Sequence, residues 1–258
     1  MIGHSEVRLA AEEISPEIVP NSTPRSGTRV AQIQPDRKSR LVFTTDSTGL
    51  AVERYKLLRG RLNALHPRGG ILLVTSSAPG EGKTLTSVNL AWSLANGGFR
   101  TCLVDLDFRA PGVAKTLRLS TSEGGVGEVL TGTRTLSHSL WQIGDRPFHV
   151  LPVTERTDSP SQYFLPEVLG PLLNTLRASY RWVILDLPPA MPMSDVSEVI
   201  PQVDSALMVV RAGKTTQALL HPAFEIVGNK LVGVVLNSAI IHGSSYYGNY
   251  GTRNSDRT

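Results

Sequence analysis

Ile71-Leu72-Leu73-Val74-Thr75-Ser76-Ser77-Ala78-Pro79-Gly80-Glu81-Gly82-Lys83-Thr84 is the stretch on which the fold turns. Ile71 to Thr75 is a continuous apolar run of buried-strand length, and a glycine-rich turn follows it. From about Lys83 to Asn96 the residues Leu85, Val88, Trp92 and Ala95 recur at helical steps, and Gly97-Gly98 closes the segment. In such a turn, glycines let backbone N–H groups converge on phosphate oxygens, and the helix N-terminus adds about half a positive charge. Lys83 can reach the β- and γ-phosphates of a nucleotide, and the Thr84 hydroxyl can ligate Mg²⁺. The general pattern G-x-x-x-x-G-K-[ST] is broken at its first position by Ser77. The competing assignment is an ordinary glycine-rich strand–helix turn.

Outward from this loop the chain alternates between strand and helix patterns. Upstream, Val52, Tyr55, Leu58, Leu62 and Leu65 mark a helix over 50–65, with Gly60 inside it and Pro67 and Gly69-Gly70 beyond. Downstream, strands are expected at 101–104, 148–153, 182–185, 206–210 and 232–236, with helices near 171–179 and 215–228. Continuous apolar strands separated by helices predict an α/β fold: a mostly parallel sheet of the P-loop NTPase type with helices on both faces. Pro16, Pro20, Pro24 and Pro35 among polar residues make 1–45 an extended or disordered leader. Residues 46–241 form the folded domain. Residues 242–258 contain no Val, Ile, Leu, Met or Phe, which predicts a mobile tail.

Two acidic segments follow apolar strands. Asp105-Leu106-Asp107-Phe108-Arg109 succeeds 101–104, and Asp186-Leu187-Pro188-Pro189 succeeds 182–185. In an open parallel sheet the carboxyl ends of the strands face the ligand crevice. Gly82-Lys83-Thr84, Asp105/Asp107 and Asp186 are therefore delivered to one edge, as a Mg²⁺-nucleotide site requires. A single acid in such a place would more often be a helix cap or turn residue.

Ala78-Pro79-Gly80-Glu81-Gly82-Lys83-Thr84, the D-x-D-x-R segment Asp105–Arg109 and Asp186-Leu187-Pro188-Pro189 together resemble the bacterial tyrosine kinases of capsule and exopolysaccharide loci. The resemblance covers about 50–240 and the tyrosine-bearing tail. It implies an ATP-dependent protein-tyrosine autokinase with ATP and Mg²⁺ as cofactors. Pro79, Gly80, Glu81, Gly82, Lys83, Thr84 and Leu85 would hold the nucleotide, with Asn237 of the last strand near the base. Lys83 would bind the phosphates, and Thr84, Asp105 and Asp186 would organise the metal. Asp107 would accept or orient the tyrosine hydroxyl proton; the alternative for Asp107 is an ion pair with Arg109. Relatives carry an E-x-x-R-x-x-R helix that docks on a neighbouring subunit; here it reads Glu53, Lys56 and Arg59, and Lys lacks the bidentate fork of Arg. The alternative is a solvated face with a Glu53–Lys56 pair.

Three of the six tyrosines, Tyr246, Tyr247 and Tyr250, fall in the tail. In the family such a tail is phosphorylated by a neighbouring copy, and the added charge, about −1.5 to −2 per phosphate, loosens a homo-oligomeric ring. An inert polar tail is the competing assignment. The resemblance also implies a separate membrane activator, a polysaccharide co-polymerase supplying a cytosolic segment, and a cognate tyrosine phosphatase. The expected location is cytoplasmic, at the inner face of the membrane through that partner.

The balance of the sequence fits these expectations. The 258 residues carry 26 Lys+Arg against 22 Asp+Glu, and the +4 excess forms no basic run that would indicate nucleic acid. A lone Cys102 excludes a disulfide framework. Glu6, Glu12 and Glu13 interrupt any signal-peptide run, and no stretch nears the ~18 apolar residues of a membrane span. Two rivals share the nucleotide motifs. One is a partition or septum-placement ATPase switch, which would carry a lysine where Ala78 stands and, in its membrane-binding members, an amphipathic tail helix. The other is a non-catalytic nucleotide-binding regulator of polysaccharide chain length.

Overall fold

A computed structural model describes residues 28–32, 40–120 and 124–239. Eight strands make one sheet: β1 (Arg29–Ala31), β2 (Gly70–Ser76), β3 (Thr101–Asp105), β4 (Trp141–Ile143), β5 (Phe148–Leu151), β6 (Trp182–Asp186), β7 (Ser205–Arg211) and β8 (Leu231–Asn237). The longer helices are α1 (Leu50–Leu65), α2 (Lys83–Asn96), α3 (Pro166–Ser179) and α4 (Gln217–Val227). Short helices at Val42–Thr45, Val113–Leu117, Val126–Leu130, Leu136–Ser139, Ser161–Phe164 and Asp195–Val199 fill the connections.

The sheet order is β1-β4-β5-β3-β6-β2-β7-β8, and every pairing is parallel except β4 with β5. The central strands are apolar at consecutive positions because both faces are covered. Ile71 and Leu73 of β2, with Cys102 and Val104 of β3, point to the layer containing α3 and α4. Leu72, Val74 and Leu103 point to the opposite layer, against Val88, Leu94 and Trp92 of α2. Cys102 is buried as part of that packing, and burial pushes its thiol pKa up.

The boundaries of α1 and α2 coincide with the periodic patterns of the sequence. Elsewhere proline moves them. The expected strand 148–153 stops at Leu151 because Pro152 has no N–H for the ladder. The helix expected from 171 begins at Pro166, where a missing N–H is harmless in the first turn, and Pro171 lies inside it. The stretch read as leader is partly built into the domain. Residues 29–31 add an edge strand on β4, and Leu41 is buried against α2. Asn89 of α2 fixes that approach, accepting the Val42 N–H at 3.0 Å and donating to the Arg40 carbonyl at 3.3 Å. The remainder of the predicted leader and the predicted tail lie outside the described residues.

Candidate active site

All the predicted strand-end groups issue from the carboxyl edge of β2, β3 and β6. Asp105 and Asp186 end β3 and β6 and are register partners, so their carboxylates leave the sheet side by side. Both are fully buried. Asp105 accepts the backbone N–H groups of Asp107, Gly112 and Val113 at 3.1, 3.2 and 3.1 Å. Asp186 Oδ1 accepts the Ser87 hydroxyl at 2.9 Å, whereas its buried Oδ2 has no hydrogen-bond partner. Burial, then the Asp186 charge, pushes the Asp105 carboxyl up to about 8. Burial also raises Asp186, against the pull of Lys83. Two crowded, desolvated carboxylates with one oxygen unpartnered are deficient in positive charge.

Lys83 supplies part of it. Its Nζ donates to Asp107 Oδ2 at 2.5 Å and lies 3.4 Å from the Thr84 hydroxyl. Burial works against the ammonium, but Asp186, Asp107 and Asp105 outweigh it and hold the Lys83 pKa above its ordinary value. Asp107 also accepts the Ala110 N–H through Oδ1 at 2.9 Å, so its carboxylate is fixed by one turn of backbone. The expected alternative, an Asp107–Arg109 pair, is not what forms. Arg109 turns to the buried Asp195, 3.1 Å away, leaving Asp107 to Lys83.

The residues present fit Mg²⁺. The ion takes oxygen ligands and keeps several waters, so a hydroxyl and one or two carboxylates suffice. Thr84, Asp105 and Asp186 supply these at one spot, and the unpartnered Asp186 Oδ2 is the group most in need of a cation. Among the described residues no cluster of three or more His, Cys, Asp or Glu side chains forms a metal site, so a bound Mg²⁺ would be completed by water and phosphate oxygens.

The loop itself is shaped by Glu81, whose role in fixing the loop the sequence did not reveal. Its carboxylate accepts the Ser77 N–H at 2.8 Å, the Ala78 N–H at 2.9 Å and the Ser77 hydroxyl at 2.9 Å. Thr215, beyond β7, donates its hydroxyl to Glu81 Oε1. Burial opposes the charge, yet these donors outweigh it and hold Glu81 below its ordinary pKa. Arg211 donates to the Gly80 carbonyl at 3.3 Å, and Asn237 donates to the Glu81 carbonyl at 2.8 Å. Gly82 adopts φ +96°, and a Cβ there would lie 2.1 Å from Asn237 Nδ2. Glycine is thus required twice over. Pro79, Gly80 and Leu85 flank the same loop on its strand–helix path. A carboxylate two residues before the helix lysine, and three or four after Ala78 and Ser77, is the only sequence signal for this bracing; its partners at 211, 215 and 237 are too distant in the chain to be read.

The other predicted positions fall apart from this centre. Lys56 pairs with Glu53 at 2.7 Å on the solvent side of α1, the arrangement weighed as the alternative to an interface. Arg59 is half-buried and donates to the Ser93 carbonyl of α2 at 2.7 Å, so it is engaged within its own chain. Tyr55, Tyr163 and Tyr180 are packed side chains; Tyr163 stacks on Phe108 with ring centroids 4.8 Å apart. Tyr246, Tyr247 and Tyr250 lie outside the described residues.

Residues 72–240 match the family model of the CobQ/CobB/MinD/ParA nucleotide binding domain. The chain is 29% identical over 199 residues to the tyrosine-protein kinase CpsD of Streptococcus pneumoniae serotype 4, covering 76% of this chain and 88% of that one. Its fold is similar to the kinase domain of the Escherichia coli tyrosine kinase ETK, with a TM-score of 0.73 and 26% identity over 83% of this chain and 85% of that one. The cell division ATPase MinD of Pyrococcus furiosus shares the fold, with a TM-score of 0.54 at 20% identity over 65% of this chain and 71% of that one.

Proposed function

The chain belongs to the CobQ/CobB/MinD/ParA nucleotide-binding family, on its bacterial tyrosine-kinase branch, and we propose that it is an autokinase of capsule or exopolysaccharide synthesis that phosphorylates Tyr246, Tyr247 and Tyr250 of a neighbouring copy. The observation that carries this reading is the 2.5 Å Lys83–Asp107 pair beside the Asp105–Asp186 pair. In this reading the pair is a phosphate-binding cation and a proton acceptor in direct contact, on the edge whose oxygens would ligate the metal.

The ion supplies charge neutralisation on the transferring phosphoryl group, with Thr84, Asp105 and Asp186 as its holders. The chain's own residues do the rest. Lys83 and the amides of 80–84 hold the β- and γ-phosphates. Engagement of Lys83 by phosphate releases Asp107, which then accepts the phenolic proton as the tyrosine oxygen bonds to the γ-phosphorus and the bond to the ADP oxygen breaks. The Lys83 contact occupies the same carboxylate, so proton acceptance is tied to the engagement of Lys83 by phosphate. Asn237, at the end of β8 beside the loop, borders the space for the base. A homo-oligomer brings the tail of one copy to the site of the next, and a membrane activator and a cognate phosphatase set the phosphorylation level.

The ATPase-switch reading is disfavoured by Ala78, which stands where those proteins carry their signature lysine. The test is incubation with Mg²⁺-ATP, with and without the cytosolic segment of the membrane activator, followed by phosphosite mapping by mass spectrometry. Phosphotyrosine at 246, 247 or 250 that disappears in Lys83→Met is the expected result. ATP hydrolysis with unmodified tyrosines in the presence of activator would overturn it.

A further inference from the structure

The edge of the sheet opposite the active site carries a charge pattern that the sequence conceals. No basic run marks these loops in the sequence, but the parallel order of the sheet brings the loops entering β2, β3, β5 and β6 to one edge. Each of those loops contributes an arginine just ahead of its strand: Arg68, Arg100, Arg146 and Arg181. The loops are physically joined. Arg181 N–H donates to the Arg100 carbonyl and Gly70 N–H to the Arg181 carbonyl, both at 2.9 Å, and Thr101 N–H donates to the Pro147 carbonyl at 2.9 Å.

Three of the guanidinium groups lie over aromatic rings: Arg181 on Phe99 at 4.3 Å, Arg146 on Trp92 at 5.2 Å and Arg100 on Tyr180 at 5.6 Å. Stacking holds the fork flat; Arg181 also donates to the Pro67 carbonyl and Arg146 to Asn96 Oδ1, both at 2.8 Å, and the remaining N–H groups of these two exposed guanidiniums suit phosphate. In these loops and the one entering β7, the acids are Asp145 and Asp204. Asp204 is already bridged by Arg177, at 2.7 and 3.1 Å. Leu65, 58% exposed at the end of α1, lies three residues before Arg68, with Pro67 exposed between them.

We infer that this arginine edge docks on the anionic phosphate headgroups of a phospholipid bilayer, with Leu65 entering the interface. Charge complementarity and the adjoining apolar side chain select that partner. Nucleic acid is the less fitting occupant, because the ring faces that would stack on bases are covered by the arginines. The active site lies on the far edge of the same sheet. Docking therefore turns the phosphate loop and its acids away from the anionic surface, which matters if the kinase reading holds; the lipid contact itself does not depend on it.

The test is sedimentation of the full chain with vesicles of phosphatidylcholine alone or with 30 mol % phosphatidylglycerol, at low and high NaCl. Binding should require phosphatidylglycerol and fall with salt. The triple variant Arg68→Gln/Arg146→Gln/Arg181→Gln should bind roughly fivefold more weakly per arginine removed, on the order of a hundredfold in all. Arg54→Gln/Lys115→Gln/Arg134→Gln, with the same charge change elsewhere, should bind nearly as the unaltered protein. Thermal unfolding checks that each variant is folded, and the triple Arg→Lys variant, which keeps the charge, should retain most binding if the glutamine variant is destabilised. Equal binding to neutral vesicles, undiminished binding by the glutamine variant, or preferential capture of a 20-base-pair DNA duplex by this edge would each overturn the inference. Autophosphorylation measured without vesicles should be unchanged in the glutamine variant, so failure of the lipid contact and failure of the kinase reading give different results.

Discussion

Asp186→Asn should make the protein more stable while disabling its response to Mg²⁺. The substitution keeps the Ser87 hydrogen bond, made at 2.9 Å to Oδ1, and replaces a buried Oδ2 that makes no well-formed hydrogen bond, the Thr84 hydroxyl standing near the carboxyl and lowering its pKa only in part. What disappears is one of two charges held side by side in a desolvated edge, whose attraction to Lys83 does not outweigh its burial, since Asp186 remains raised. The distance from the ordinary 3.8 to about 8 for Asp105, at roughly 1.36 kcal/mol per pKa unit, bounds the penalty at about 6 kcal/mol. Burial is the larger cause and survives the substitution, so the relieved repulsion is about 1–2 kcal/mol. For a domain of this size that raises the unfolding temperature by roughly 3–6 °C. The pH dependence has a definite sign. Carboxyl pKa values raised by folding mean that the native state binds more protons than the unfolded state between about pH 4 and pH 8. Stability of the metal-free protein should therefore fall as pH rises through that window, and less steeply in the variant. Scanning calorimetry in EDTA at pH 6, 7 and 8, repeated with ADP and with Mg²⁺-ADP, measures all of this. Mg²⁺-ADP should stabilise the unaltered protein beyond ADP alone, and the variant should lose that increment. An Asp186→Asn protein that unfolds at a lower temperature than its parent in EDTA at pH 8 would refute the charge-deficit account.

Glu81→Gln can keep an amide oxygen on the Ser77 and Ala78 N–H groups but loses the charge that strengthens those bonds, and at about 1–2 kcal/mol should raise the Kd for ATP roughly 5- to 20-fold by fluorescent-nucleotide titration with the fold intact. Asp204 accepts the Ile71 N–H at 2.7 Å and pairs with Arg177; although partial burial opposes its charge, these contacts hold its carboxyl low. Its stabilisation is present above the ordinary aspartate pKa and lost as pH falls through the lowered one, so Asp204→Asn should cost about 1–2 kcal/mol at neutral pH in urea unfolding and nothing near pH 2. Gly60 lies inside α1 with nothing within 4 Å of a built Cβ, and Gly60→Ala should add about 0.5–1 kcal/mol in the same assay.

The parts of this molecule that could be read from the sequence are those encoded locally. The boundaries of α1 follow from the spacing of Val52 through Leu65, and those of α2 from the strand–glycine–lysine junction and the Gly97-Gly98 stop. Convergence of Lys83, Asp105, Asp107 and Asp186 was legible because a parallel sheet sends every strand end to one edge. Pairings between distant residues were not. Nothing near Arg109 in the chain announces Asp195, and nothing near Glu81 announces Thr215. β1 and β4 are three residues each, too short for alternation to register, and β1 hid among prolines. The arginine edge escaped for the same reason: its members are spread over more than a hundred positions and meet only when the strands align.

The contact between Asn237 and the Glu81 carbonyl sets a limit on how the polypeptide can be cut. A side chain at the last position of the last strand helps fix the loop at the heart of the domain. Trimming from the C-terminal side that reaches Asn237 therefore takes this support from the phosphate loop. The domain's functional boundary lies no earlier than Asn237, and any fusion partner, tag or proteolytic cleavage aimed at the tyrosine segment has to leave that residue in place.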